Sequence, residues 1–596
     1  MSETAVISTV RGNVGAAEPD GGPAQQGKNG TQGSVVSAPE QNPGASPASA
    51  PAPVEPDAVR DVSTLAEPAA ADVGGPGPRA PATEIELKLL VDPDRLADFN
   101  DVGVIATHAR SKGTRKHLKS IYYDTPRRTL RRNGLSLRVR QSGARFVQTV
   151  KLESAGDPLR RGEWEASVPS ADPDVALAMP FVPEELRPEI AHDGLEAVFT
   201  ADIHRHERVL DMPAGTIEIA FDHGLLKAGA WSQPVSEIEL ELKGGSPSTI
   251  YDLALRLSEH GPVKPSIRSK SARGHDLAAD TPPTARKPGK LHLDPAVALD
   301  DAFATILRAC LHHLLQSLPA AEDGRDPEGI HQLRVALRRL RTAFDLMRAA
   351  GPLSRLDTLR SEAKWLAQGL SAARDWDIFR KNTLPEIASA CPSIGGFDAL
   401  GDVAEQRRTD AYRKVRFVLA DRRATSFILG LGAWIETRGW RGDIPPARLG
   451  QFAGPAANFA RQLLSTQHAK VLKRGRHFKS LDPDQRHRLR LAVKKLRYVA
   501  EFLLPLSGPR KAAKRFADKL AEFQEELGAY NDMAVTAKLL AGLGTASLDG
   551  GHAAAAITGW QARAMIGGEP RLRQAWSDFA KTKPPWSVDA EAERAP

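Results

Sequence analysis

The chain has 596 residues, of which 41% are apolar and 26% charged. This is the composition of a globular protein, long enough for three or four domains at roughly 150 residues each. Lys and Arg number 81 against 73 Asp and Glu, a formal charge of +8 that favours an anionic partner only where it is clustered. There is no apolar run of about 18 residues to span a bilayer, and MSETAVISTV lacks the basic and apolar regions of a secretion signal. Cys310 and Cys391 are the only cysteines, which excludes a disulfide scaffold and any four-cysteine metal or iron–sulfur site. A cytoplasmic protein with no membrane partner is expected.

Residues 1–82 contain no Phe, Trp or Tyr and are rich in Ala, Pro, Gly and Ser. Too little apolar surface is available there to offset chain entropy, so a disordered arm is expected. From 83 to 280 the pattern becomes alternating. Strands are predicted at Glu84–Leu90, Ser120–Asp124, Ser136–Gln141, Phe146–Leu152, Gly162–Val168, Ile203–Asp211, Thr216–Leu226 and Ser236–Lys243, with a helix at Ser248–Glu259. Eight strands in one domain predict a closed or nearly closed antiparallel sheet. A polar, Pro-containing linker occupies 281–291. Residues 292–587 read as almost entirely helical, and 588–596 as a tail.

The alternation places charge on one side of the strands. Glu84, Glu86 and Lys88 share a face, as do Glu237, Glu239, Glu241 and Lys243. Arg138 and Arg140, then Lys151, supply the opposite sign, and Glu163 and Glu165 add another acidic pair. A sheet that closes around such rows has a charged lumen and an apolar outer face for helices to cover. Clustered carboxylates suit Mg²⁺ or Mn²⁺, and guanidinium and ammonium groups suit phosphate oxygens. Together they describe a metal–polyphosphate site.

Glu84-x-Glu86-x-Lys88 is followed in order by Tyr122-Tyr123-Asp124-Thr125-Pro126, Leu137-Arg138-Val139-Arg140, Gln148-Thr149-Val150-Lys151, Glu163-Trp164-Glu165, Phe221-Asp222-His223-Gly224, the Glu237–Lys243 run and Ser269-Lys270-Ser271-Ala272-Arg273-Gly274. The set resembles the CYTH family, the triphosphate tunnel metalloenzymes. The resemblance implies an eight-stranded tunnel that binds a triphosphate and divalent metals. It further implies that Lys88, Arg138, Arg140, Lys151, Arg205 and Lys270 contact phosphates. Glu84, Glu86, Glu239 and Glu241 would hold metal, with Glu163, Glu165 and Asp222 as further candidate ligands. The implied catalytic set is Glu84, Glu86, Lys88, Glu239 and Glu241.

The helical region contains an internal repeat. His331, Arg334, Arg338 and Arg341 form one stripe, and His487, Arg490, Lys494 and Arg497 repeat it 156 positions on (331 to 487, 334 to 490). Leu370–Asp375 is echoed by Leu527–Asp532, so two similar halves, about 292–450 and 451–587, are expected. No Glu is interleaved within the stripes to neutralise them, and further basic residues follow, among them Arg408 and Lys473. A duplicated basic surface of this kind fits a long polyanion. The motifs resemble the CHAD domain. That resemblance implies that His331, Arg334, Arg338, Arg341, His487, Arg490, Lys494 and Arg497 line a path for inorganic polyphosphate, with Arg339 and Lys495 flanking. Nucleic acid fits less well, since the stripes carry no interleaved aromatics for base stacking.

The fold class expected is therefore α+β: an eight-stranded antiparallel tunnel barrel with flanking helices, then an all-helical duplicated bundle. The expected activity is metal-dependent hydrolysis of inorganic triphosphate or short polyphosphate, with polyphosphate bound by the helical domain. Alternatives are a polyphosphate-binding protein targeted to polyphosphate granules with little turnover, or an enzyme of nucleoside or organic triphosphates, including an adenylate cyclase.

Overall fold

The computed structural model describes residues 82–152, 157, 159–543 and 548–587. The predicted arm, apart from Ala82, and the predicted tail lie outside the described residues.

Among the described residues nine strands form one antiparallel sheet: β1 (Ala82–Leu90), β2 (Thr114–Asp124), β3 (Leu135–Ser142), β4 (Arg145–Leu152), β5 (Arg160–Val168), β6 (Glu196–Met212), β7 (Gly215–Ala228), β8 (Trp231–Gly245) and β9 (Lys264–Ser266). Their order is β5-β4-β3-β2-β6-β7-β8-β1-β9. The first half of β1, Ala82–Ile85, also pairs with β5, which joins the ends of the eight-strand run. The second half of the same edge pairs with β9. All eight predicted strands are present. Each is longer than predicted, β2, β6 and β8 most of all, since they begin at Thr114, Glu196 and Trp231. Thr114-Arg115-Lys116-His117 is polar on both faces, so alternation there gives no signal. The ninth strand has three residues, one of them Pro265, and is too short to show a period.

Leu87, Leu89, Ile217, Ile219, Phe221, Ile238 and Leu240 point outward and are buried under the helix Ser248–His260, which contributes Ile250, Tyr251, Leu253 and Leu257. The inner face is charged over only part of its length. Leu118, Tyr122, Phe199, Ala201, Ile203, Leu226 and Val235 have the parity of Lys116, Arg205, Asp222 and Glu237 and so share their face, yet they form an apolar cluster. The charged lumen expected from the strand pattern thus occupies part of the inner face, and an apolar patch the rest. Leu277 of the helix Lys270–Ala278 packs against that cluster. A Cβ on Gly274 of the same helix would lie 2.0 Å from the Phe199 ring, so only glycine allows this approach.

The remaining chain is helical. The two repeats correspond at Pro327–Ala350 and Pro483–Leu503. Each begins with Asp-Pro: Asp326 caps the first, and Asp482 forms a capping box with Gln485 in the second. These helices meet, with Arg338 4.9 Å over the Tyr498 ring and Arg339 paired with Glu501.

A single apolar cluster runs from the outer face of the sheet into the helical core. At the junction, Ser248–His260 lies against the helix Arg422–Glu436, the Thr425 hydroxyl donates to the Val263 carbonyl at 2.9 Å, and Arg308 grips Glu436 with two bonds of 2.7 Å. The Tyr251 ring occupies the space a Cβ on Gly432 would need, 2.2 Å away. Gly432→Leu is expected to destabilise the full chain by about 1–3 kcal/mol through overpacking. Gly430→Ala, on the same helix with nothing within 4 Å of its Cβ position, should be neutral or up to about 1 kcal/mol stabilising. Denaturant midpoints of the two variants check this.

Candidate functional site

Register brings the charges together. Glu86 on β1 faces Glu241 on β8, which faces Glu218 on β7, and Lys88 faces Glu239. They border a cavity of about 290 Å³ inside the ring of strands. Its lining has eight acidic side chains (Glu84, Glu86, Glu163, Glu165, Glu207, Glu218, Glu239, Glu241) and eight basic ones (Lys88, Lys116, Arg138, Arg140, Lys151, Arg205, Lys243, Lys270). With charges balanced, position rather than net charge decides what binds.

One zone is a closed network. Lys270 Nζ donates to Asp222 at 2.6 Å, to Glu239 at 2.9 Å and to Glu237. Arg205 forms a fork on Asp222 with bonds of 2.7 and 2.6 Å and also pairs with Glu239, while Lys88 pairs with Glu86 and Glu239 and Arg273 with Glu237. Burial opposes ionisation of Glu239, but Lys270, Lys88 and Arg205 outweigh it and hold the carboxyl well below its usual range. Asp222 is lowered in the same way: against burial, Lys270 and Arg205 prevail. Oxygens of Asp222, Glu237 and Glu239 lie within 4.8 Å of one another, but ammonium and guanidinium groups already fill the space between them.

The second zone is frustrated. Glu241 is raised by burial, and the charges of Glu84 and Glu218 add to this against the pull of Lys243, 2.6 Å away. Crowding of this kind around Glu241 is what a divalent cation relieves, and all the donors are hard oxygens. Glu84, Glu218 and Glu241, with Glu86 where this zone borders the closed network, therefore fit a metal better than Asp222, Glu237 and Glu239 do.

Opposite stand the cations of β3 and β4. Lys151 pairs with Glu84 at 2.7 Å and with Glu163 at 3.0 Å, and Arg138 lies 3.7 Å from Glu163. Arg140 has no ion pair among the described residues, and its Nε, like that of Arg138, is buried without a hydrogen-bond partner. Burial, then Arg138 and Arg205, push its guanidinium down to about 10. An anion would relieve this buried positive charge.

The structure thus brings Glu84, Glu86, Lys88, Arg138, Arg140, Lys151, Glu163, Glu165, Arg205, Glu239, Glu241 and Lys270 to one cavity. Asp222, fully buried, lies behind it as a counter-ion of Arg205 and Lys270. Glu163 and Glu165 sit on the basic wall, Glu165 accepting from Thr149 at 3.0 Å. Sequence reasoning missed Glu218, Lys116, Glu207 and Glu237 as site residues. Glu218 was within reach, because it alternates with Ala220 and Asp222.

In the helical region Arg334 donates to the Ala367 carbonyl at 3.1 Å and to Ser371 Oγ at 2.8 Å. Burial lowers its pKa, Asp375 opposes this, and Arg374 and Arg338 add to it. Burial, then Arg374, likewise hold His331 low. The Nε atoms of Arg338 and Arg341 are buried without partners. Arg490 and Lys494 are half-buried, and His487, Lys495 and Arg497 are exposed. Arg339 departs from the expected path. Only 4% exposed, it pairs with Glu501 and stacks 5.3 Å over Phe502, because one residue on from Arg338 turns it about 100° around the helix. Arg408 is also withdrawn from the basic surface by Asp377, which is buried and 2.7 Å away.

A CYTH domain model matches residues 82–274, and a CHAD domain model matches 305–541. An inorganic triphosphatase of Haemophilus influenzae is 29% identical over 202 residues, 33% of this chain and 55% of that protein, so the chain spans about half the length of this relative. An uncharacterized Mycobacterium tuberculosis protein is 24% identical over 431 residues, 67% of this chain and 78% of the other. The crystal structure of a CHAD domain from the plant Ricinus communis is 30% identical, covering 51% of this chain and 98% of that one, with a TM-score of 0.44.

Glu239 and Asp222 have depressed pKa values in the fold. Their stabilisation is therefore present above the ordinary carboxylate range and lost as pH falls through the folded values. Glu239→Gln leaves Lys88, Arg205 and Lys270 short of a counter-ion and is expected to cost about 3–5 kcal/mol at pH 7. The gap from the parent chain should narrow as pH falls below the ordinary carboxylate range, as denaturant titrations at successively lower pH would show.

Proposed function

Starting from a chain that joins a CYTH domain to a CHAD domain, we propose that the tunnel is a divalent-metal-dependent triphosphatase acting on inorganic triphosphate and short polyphosphate, and that the helical domain binds inorganic polyphosphate. The observation that carries the reading is the cavity itself: on one wall Arg138 and Arg140 hold buried donors without partners, and on the other Glu84, Glu218 and Glu241 crowd one another. A polyanion entering with divalent cations satisfies both walls at once. The Haemophilus influenzae relative supports the triphosphate assignment.

In this reading Arg138, Arg140 and Lys151 bind non-bridging phosphate oxygens and hold the chain in line. Glu84, Glu86, Glu218 and Glu241 would hold Mg²⁺ or Mn²⁺, which when bound supplies charge neutralisation and an activated water. Lys88, Arg205 and Lys270 fix the carboxylates of the closed network and keep the lumen from collapsing. The stripes around Arg334 and Arg490 gather polyphosphate by charge. No described helix is long and apolar enough to cross a membrane, and association with polyphosphate granules in the cytoplasm follows from that binding.

The full chain is expected to release phosphate from tripolyphosphate with Mg²⁺ or Mn²⁺ and to stop when the metal is chelated. Glu241→Gln should lower turnover roughly 100-fold or more, and Arg140→Met should raise KM about tenfold. A folded chain that binds polyphosphate tightly but releases no phosphate would instead favour a targeting protein. For the helical domain, Arg490→Ala with Arg497→Ala should weaken retention of long polyphosphate and lower the salt dependence of binding by about one unit per lost contact.

A further inference from the structure

A second cavity, about 100 Å³, lies between the tunnel and the helical region. That is room for several water-sized groups, each of which needs roughly 10–15 Å³. It continues from the tunnel, because Ser136, Lys151, Ser269 and Ser271 line both spaces. Its walls come from three parts of the chain: Arg131, Arg160 and Arg268 from the strand region, Arg286 from the linker, and His312 and Gln316 from the helix Leu299–Asp323.

Its charge differs from the tunnel's. Among the described residues the chamber has, with Lys151, five cationic side chains against two carboxylates, Asp157 and Asp276. Asp276 is shared, pairing with Arg268 and lying 3.4 Å from Arg131. Burial and the charges of Arg131, Arg273 and Arg286 lower the Arg268 guanidinium in spite of Asp276. The helix Lys270–Ala278 starts at the junction, with Ser269 as its cap, so its first turn faces both spaces. The tunnel is charge-balanced, and the space beyond it is built for an anion.

We propose that this chamber is a subsite for phosphoryl groups beyond the third of a linear polyphosphate, so that the seam between the two domains reads chain length. The proposal rests on the triphosphatase reading of the tunnel. A chain longer than three passes Lys151 and the start of the Lys270–Ala278 helix, and its next phosphates meet Arg286 and His312. Tripolyphosphate ends before them.

The test compares tripolyphosphate with tetrapolyphosphate on the full chain in Mg²⁺. The parent chain should show the lower KM for the tetraphosphate. Arg286→Ala and His312→Ala should each raise the ratio of KM for tetraphosphate to KM for triphosphate about tenfold, the effect of one lost charge-assisted contact. A ratio that stays constant in both folded variants overturns the proposal, as does an equal rise in both KM values. Should neither compound release phosphate, the hydrolase reading fails. The subsite is then read from calorimetric dissociation constants in Ca²⁺, where the same shift in ratio supports it and no shift overturns it.

Discussion

The ammonium of Lys270, shared by Asp222, Glu237 and Glu239, is the contact on which the lumen depends. Each charge taken out of water costs several kcal/mol unless it is met by partners in good geometry. Lys88, Arg205 and Arg273 complete that requirement at one end of the cavity. The rest of the lumen is left incomplete: like charges crowd Glu241, and Arg140 has no ion pair among the described residues. Rigidity and unmet demand thus sit a few residues apart on the same strands, and the unmet part is where a ligand gains most.

Much of this was readable because a barrel with a charged lumen and a covered exterior produces a clean two-residue period. All eight main strands followed from it, as did the charged faces of Glu84 to Lys88, Arg138 with Arg140, and Glu237 to Lys243, whereas Arg205, Asp222 and Lys270 came from the CYTH resemblance. The period shows which face a side chain occupies but not its depth. Glu237 and Glu241 have the same parity, yet Glu237 is fully buried among cations and Glu241 sits among like charges, a difference made by register and by the helix that brings Lys270 and Arg273. Depth also explains the apolar stretch of the lumen. Leu118, Ile203 and Leu226 keep the inward parity of Lys116, Arg205 and Asp222, and parity does not say that the lumen turns apolar at their depth. Arg339 was misplaced for the helical counterpart of this reason: in a run of basic residues, composition does not say which one turns inward.

The duplication was visible as spacing, and the structure adds that its halves are not equivalent. His331 is half-buried beside Arg374, whereas His487 is exposed. The Arg338–Tyr498 and Arg339–Glu501 contacts tie the two repeats to each other. The conserved geometry is the pair of Asp-Pro starts, which fixes where each basic stripe begins.

The interlock of Tyr251 with Gly432 has a wider meaning. Because the sheet and the bundle draw on one oily interior, neither was left with a water-ready exterior where they meet. Separating them would demand repainting that seam with hydrophilic residues, so any lineage in which the halves travel alone must show such replacements at the positions corresponding to Tyr251 and Gly432.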